Sequence, residues 1–535
     1  MRRRHIRVSG VVLAVTVAMA AAAVTATAAD SADSVSAPRK GGHGPAPASA
    51  PVQGQYIVLL KPGAVAGTSV AAVASGIAHA KQVRLGAVYR SAVRGFVVRS
   101  ASPAQADAIR RDPRVASVTQ DNVIRLADAT APANVTPANV TPTGLQKYPP
   151  WNLDRIDQPR LPYSLTYTYS TGAGNVHAYI IDTGIRATHS QFGGRASVGA
   201  DFVGDGLNGA DCIGHGTHVA GIIGGATYGV AKSVRLVAVR VFGCTGTTTE
   251  SIVIAAVDWV TANGVKPAVV DMSLGGPVSE PLDAAVRGSI AAGFTYAIAA
   301  GNTYANPNTC DISPARVAEA ITVAASTRDD QETQYTNDGP CVDMFAPGGG
   351  IPGEDTDPTP VTSAWYTSDT AAANISGTSM AAPHVAGAAA LFLAWHPTAT
   401  PSLVESTLIG RSTKNVLAIF EGFGTPNRLL YSYPPMLTVT RLDATPEPVT
   451  VGGIEVLRGY VYRSATGTRL PNRRVNIYYR RAGTTTWQYV SYRITNSTGN
   501  YLASFHQYHS GTWLAVHVGD ELFHLSSASD TVYVR

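Results

Sequence analysis

Apolar runs and polar breaks change texture along the chain, and each texture predicts a different structure. An apolar segment from Val11 to Val24 follows Arg2, Arg3 and Arg4 and ends in small residues around Ala26-Thr27-Ala28. That layout predicts a secretory signal over residues 1–29, cleaved just after Ala28 or Ala29. The segment falls short of the roughly 20 apolar residues that span a membrane, so an exported chain without an anchor is expected. Ser, Ala, Pro and Gly dominate 30–54 and predict a disordered spacer. Between 55 and 126, QYIVLLKPG reads as a strand, SVAAVASGIAHA as a helix, RGFVVRS as a strand, SPAQADAIRRDP as a helix and VASVTQDNVIRL as a strand. Short connections make this a small α+β unit. A repeated ANVTP within 127–150 predicts an extended, exposed linker.

From 151 to 433 apolar strand patterns alternate with helical ones. Strands are expected at His177 to Asp182, Val234 to Val241, Ala268 to Leu274, Thr295 to Gly301 and Ala320 to Ser326. Helices are expected at Thr217 to Gly224, Thr248 to Ala262 and Glu280 to Ala292. This alternation predicts an α/β domain, a parallel sheet covered by helices, with its chemistry at the carboxyl ends of the strands. Residues 434–535 change to period-two alternation with frequent turns, which predicts seven or so short strands in an immunoglobulin-like β-sandwich. Trp487, Tyr489 and Tyr492 fall along one segment there and could grip polysaccharide or protein, but packing inside the sandwich is their expected use.

Composition adds bounds. A chain of 535 residues exceeds one core and needs two to four domains. The formal charge of +5 is small, and no Lys/Arg stripe interleaves with aromatics, so nucleic-acid binding is not expected. Four cysteines in an exported chain predict two disulfides among three possible connectivities; the similar gaps favour Cys212 with Cys244 and Cys310 with Cys341.

The candidate chemistry centres on NISGTSMAAPHVAGAAALFLAWH, where Ser379 opens a long run of helix formers. A serine there is ordinarily a cap. Gly377 beside it, however, admits a substrate backbone, and helix N–H groups favour a developing oxyanion. A nucleophile also needs a base, an orienting carboxylate and a second oxyanion donor. His215, in GHGTHVAG, stands at a helix start behind glycine. A zinc pair with His218 lacks both an intervening Glu and a third ligand. Asp182 closes a strand before Thr183-Gly184, and Asn302 follows another strand end. Together they fill every role that Ser379 requires.

The motifs DTG at Asp182, GHGTHVAG at His215, SLGG at Ser273 to Gly276, AAGN at Ala299 to Asn302 and GTSMAAPH at Ser379 resemble the subtilisin-like serine proteases, in their family order. Spacing and cysteines most resemble the proteinase K branch, including aqualysin-type enzymes with a cleaved propeptide. The resemblance implies a subtilisin-like fold, a secreted endopeptidase with an Asp182, His215, Ser379 triad, and an oxyanion hole of Asn302 and the Ser379 N–H. It implies a specificity cleft walled by Ser273, Leu274, Gly275, Gly276, Ala299, Ala300 and Gly301, with apolar and aromatic side chains preferred. Calcium is implied at Asp343 with the carbonyls of Ala318 and Ala320, and at Asp154, Asp157 and Gln158. The α+β unit resembles an inhibitor-type propeptide, an intramolecular partner whose linker the protease cuts itself. Protein or peptide substrates and a monomeric state go with this reading. A secreted esterase would share the triad but uses a G-x-S-x-G elbow. A non-catalytic binding protein acting through the sandwich is the contrasting alternative.

Overall fold

The computed structural model describes residues 50–126, 133–134, 144–303, 308–420, 423–432, 438–464, 467–519, 523 and 525–535. The expected signal and most of the expected spacer lie outside these residues. So does most of the linker.

The N-terminal unit is a sheet carrying two helices, Val70–Ala80 and Pro103–Arg110. Its first strand starts at Pro51, inside the stretch expected to be spacer. The Gln120 side-chain amide draws it in, donating to the carbonyls of Val52 at 2.7 Å and Gln55 at 2.8 Å. A fourth strand, Arg84–Tyr89, was not expected. Gly86 and a register shift between Leu85 and Val88 break its alternation, as a bulge does. Capping is legible: Ser102 and Gln105 form a reciprocal capping box at the start of Pro103–Arg110.

The central domain is built on a parallel sheet. In spatial order its parallel strands are Arg428–Leu429, Met344–Pro347, Ile321–Ser326, Thr295–Ala299, Ala268–Met272, His177–Asp182, Arg235–Arg240 and Ala196–Asp201, with Thr413–Lys414 added antiparallel outside the first. Alternate residues of His177–Asp182 feed opposite faces: Ala178 and Ile180 join one core cluster, Tyr179 and Ile181 the other. The helices His215–Gly224 and Thr378–Trp395 pack against one another in the first cluster, and Glu250–Asn263 and Glu280–Ala291 in the second. The cysteines pair as expected, Cys212 with Cys244 and Cys310 with Cys341.

Residues 438–535 form seven strands in a three-stranded and a four-stranded sheet. Leu457, Ile477, Ala503 and Trp513 fill the space between them. Tyr489 and Tyr492 do not pack inside as expected; they are 52% and 48% exposed. Their strand, Gln488–Ile494, lies at the edge of its sheet, where side chains find no opposing layer. Trp487 lies half-buried beneath the guanidinium of Arg480.

The N-terminal unit docks by extending a sheet. Its last strand, Val115–Arg125, pairs antiparallel with Thr247–Thr249 of the central domain, and the Leu126 N–H continues to the Gly246 carbonyl at 3.1 Å. Asp121 accepts from the Ser251 N–H at 3.0 Å and its hydroxyl at 2.6 Å, at the start of the helix Glu250–Asn263. Farther along that helix, Asp258 accepts backbone N–H groups of Arg90, Ser91 and Ala92 at 2.9, 2.7 and 2.8 Å. Charge-assisted bonds of this kind contribute about 1.5–3 kcal/mol each. Asp258→Ala should therefore weaken docking by a few kcal/mol and speed amide hydrogen exchange at Arg90, Ser91 and Ala92. Unchanged protection of those three amides would contradict this account.

Candidate active site

Asp182 ends its strand at the carboxyl edge of the sheet and is fully buried. Its main-chain oxygen accepts the Val241 N–H at 2.8 Å, and its carboxylate accepts the Thr183 N–H at 2.6 Å. The same carboxylate lies 2.8 and 2.9 Å from His215 Nδ1. A carboxylate can only accept, so Nδ1 carries the proton and Nε2 is left as the basic nitrogen.

His215 opens its helix behind Gly214, which has φ 110°. A Cβ at Gly214 would meet the Trp365 ring at 2.5 Å, so only glycine allows this entry. The helix start is tied down by Asp211, a residue that sequence reasoning missed. Asp211 accepts from Gly214 N, Ile213 N, Thr217 N and the hydroxyls of Thr183 and Thr217, all within 2.9 Å. Carboxylates preceding a helix are common, and only the fold shows that one binds five donors around His215.

Ser379 is the second residue of the helix Thr378–Trp395. Its N–H is one of those with no partner inside the helix, and it sits at the positive end of the dipole. Ser379 Oγ lies 3.3 Å from the Ser273 carbonyl. Asn302 meets this helix start: its Oδ1 accepts from the Thr378 N–H at 3.0 Å and the Thr378 hydroxyl at 2.7 Å. Those two bonds fix the amide so that Nδ2 faces Gly377. A Cβ on Gly377 would stand 3.2 Å from Asn302 Nδ2 and 3.7 Å from the Ser379 nitrogen. Two N–H donors thus converge where glycine leaves room, an arrangement suited to a tetrahedral oxyanion.

The expected cleft residues gather beside Ser379. Ser273 and Leu274 are buried, and Gly275 and Gly276 are partly open. Gly276 faces Ile124 of the docked N-terminal strand, its Cβ position 3.5 Å from that side chain. Ala299 and Ala300 are buried, and their methyl groups belong to core clusters, so the chain at those positions offers backbone and not side chain to the cleft. His218 and His384 are held neutral. Burial pushes His218 down to about 3 and His384 down to about 4. His384 Nδ1 donates to the Met380 carbonyl at 2.7 Å, and its Nε2 accepts from Asn152 Nδ2 at 2.7 Å.

The residues expected to hold calcium differ in fit. Asp343 is pushed up to about 6 by burial. Nearby Glu405 is pushed up to about 7 by burial, with the charges of Asp343 and Glu319 adding to it. Asp343 Oδ2 accepts the Thr322 N–H at 2.8 Å, and among the described residues no three His, Cys, Asp or Glu side chains are grouped to hold a metal ion. At the second place, Asp157 Oδ1 is buried with no hydrogen-bond partner, which a cation would satisfy. Asp154, in contrast, is already committed: it accepts the N–H groups of Ser164 at 2.9 Å and Leu165 at 2.7 Å. Gln158 Nε2 donates to the Pro162 carbonyl at 3.0 Å.

A family model described as the subtilase family, Peptidase S8, matches residues 175–426, and one described as peptidase inhibitor I9 matches residues 55–127. An extracellular serine proteinase of Thermus sp. (strain Rt41A) is 47% identical over 373 residues, 70% of this chain and 84% of that protein. Alkaline serine exoprotease A of Vibrio alginolyticus is 40% identical over 351 residues, 65% of this chain and 60% of that protein. The crystal structure of a cold adapted subtilisin-like serine proteinase is 46% identical, with a TM-score of 0.49, and the match covers 54% of this chain and 99% of that one.

A cation held at Asp343 would bind the folded chain and not the unfolded one. Chelation should then lower the melting temperature by roughly 5–10 °C if calcium is supplied at about 100 times its Kd. Asp343→Asn should abolish most of that response. A melting temperature indifferent to chelator would remove calcium from the account.

Proposed function

The chain belongs to the subtilase family and is a subtilisin-like serine endopeptidase, and we propose that it works by acyl transfer through Ser379, His215 and Asp182. The observation that carries the assignment is the buried Asp182 carboxylate on His215 Nδ1, which leaves Nε2 as the base. His215 takes the Ser379 hydroxyl proton as Oγ attacks the peptide carbonyl, then returns it to the leaving amine. Asp182 holds the tautomer and stabilises the imidazolium. The Asn302 amide and the Ser379 N–H receive the oxyanion. Water then attacks the acyl-enzyme by the same proton path in reverse.

Specificity follows from the walls. Glycine at 275, 276 and 301 leaves room for a large residue, and neither wall motif carries an acidic side chain to attract Lys or Arg. Cleavage after apolar and aromatic residues is the reading this supports. Calcium would be held by Asp343 with the carbonyls of Ala318 and Ala320, and would supply structural charge compensation. The N-terminal unit acts as an inhibitor. Its last strand pairs with the short strand Thr247–Thr249 and lays Ile124 against Gly276, a substrate-like approach to the cleft. The linker that follows it is the proposed site of self-cleavage, and the enzyme acts outside the cell, as its relative's name says of the Thermus proteinase.

A fluorophosphonate should label the mature chain at Ser379 alone. Ser379→Ala should lower peptide hydrolysis by about 10⁶-fold and accumulate the unprocessed chain in a protease-free host. Asn302→Ala should cost on the order of 100 to 1000 fold in kcat. Normal processing of Ser379→Ala would refute self-cleavage, and no label at Ser379 would favour a binding protein over an enzyme.

A further inference from the structure

Behind the nucleophile lies a carboxyl group for which the triad has no use. Asp271, on the strand Ala268–Met272, is 1% exposed, and its Oδ1 has no hydrogen-bond partner. Its Oδ2 lies 2.8 Å from Ser273 Oγ. That hydroxyl is also 3.0 Å from the main-chain carbonyl of Ser379. The carbonyl needs this partner: in an α-helix it would accept from the residue four positions on, and that residue is Pro383, which has no N–H. Ser273 supplies the missing donor.

A proton count decides the rest. The Ser273 hydroxyl has one hydrogen to give and two acceptors within reach. If Asp271 is the neutral acid, its own O–H donates to Ser273 Oγ, and the Ser273 proton is free for the Ser379 carbonyl. If Asp271 is ionised, the charged carboxylate takes the Ser273 proton and the Ser379 carbonyl is stripped of it. We propose that Asp271 is a positioning residue that acts as the neutral acid, holding the backbone of Ser379 through Ser273, and that loss of its proton releases that hold. Burial, with the charge of Asp182 adding to it, pushes Asp271 up to about 8, so the neutral form prevails at neutral pH. The titratable groups that face it are Asp182 and His215. Ionisation would put a second negative charge beside that pair.

The sign follows: the neutral acid dominates below about pH 8 and the hold weakens as pH rises through that value. The test is the pH profile of kcat on a soluble peptide for the wild type, Asp271→Asn and Asp271→Ala. The Asn amide can donate to Ser273 at every pH, whereas Ala cannot. The wild type should lose several-fold in kcat through the ionisation of Asp271, with little change in KM. Asp271→Asn should lack that alkaline limb, and at neutral pH should exceed Asp271→Ala by about tenfold, the two variants being compared after thermal melting shows each folded. An alkaline limb that persists in Asp271→Asn, or an Ala variant as fast as the Asn one, would overturn the proposal.

A separate observation concerns the C-terminal sandwich. Residues 434–535 hold ten arginines, no lysine and six acidic residues. On the outer face of the three-stranded sheet the pairing sets Arg441 beside Tyr460 and Asn500, and Arg458 beside Asp443 and Leu502. These residues line a groove of ≈ 660 Å³ that Arg493 also enters. Among the described residues none of Arg441, Arg458, Arg469 and Arg493 forms an ion pair. The Arg469 guanidinium lies 3.9 Å over the Tyr460 ring and covers one face of it, and its Nη1 donates to Asn500 Oδ1, which leaves its other N–H groups for anions. We infer that this face binds a linear anionic polysaccharide, its uronate or sulfate groups taken by the arginines. Fluorophosphonate-blocked full chain should be retained on polygalacturonate and chondroitin sulfate but not amylose, and released by salt. The variant Arg441→Ser/Arg458→Ser/Arg469→Ser should bind at least tenfold more weakly. Equal retention of that variant, stronger binding to polyglutamate or single-stranded DNA, or no retention on either acidic polysaccharide would overturn the inference.

Discussion

The bond between the Asp182 carboxylate and His215 Nδ1 is the constraint on which the rest of the site depends. Both partners are almost fully removed from water, where an unpaired charge would be costly. The fold meets that cost with oriented donors. The Thr183 N–H faces the carboxylate, and Asp211 gathers five donors to fix the helix that presents the imidazole. With Nδ1 committed, the chemistry of His215 is confined to one nitrogen. A parallel sheet suits the task because its strand ends and helix starts meet along one edge.

The nucleophile's helix obeys a second constraint. Thr378–Trp395 is apolar all round and lies buried through most of its length, so it cannot shift without disturbing the core that encloses it. Pro383 removes one of its internal hydrogen bonds right behind Ser379, and Ser273 makes good the loss from the specificity wall. The docked N-terminal strand lays Ile124 against Gly276 of the proposed cleft.

Much of this is written locally in the chain. DTG, GHGTH, AAGN and GTSMA each join a polar side chain to the glycine or helix start that aims it, so the residues of the proposed triad and Asn302 can be picked out from sequence. Central strand and helix patterns are legible because a sheet buried on both faces demands continuous apolar runs. What was missed depends on contacts between distant segments. Asp211 and Asp258 read as ordinary surface acids until the fold brings N–H groups to them. Asp271 reads as one polar residue in an apolar strand, and only its meeting with Ser273 and the carbonyl before Pro383 gives it a part. Strand Arg84–Tyr89 is hidden by its bulge, and Tyr489 and Tyr492 read as core because alternation marks two faces without saying which one is covered.

The central claim is that these parts form an acyl-transferring serine centre. It is tested most directly by acid-quenching the mature enzyme during turnover of a slowly deacylating ester and locating the added acyl mass by peptide mapping. The account predicts one acyl group, on Ser379, that fails to form in Asp182→Asn on the same timescale. Acyl transfer to another side chain, or full turnover without a covalent intermediate, would contradict it.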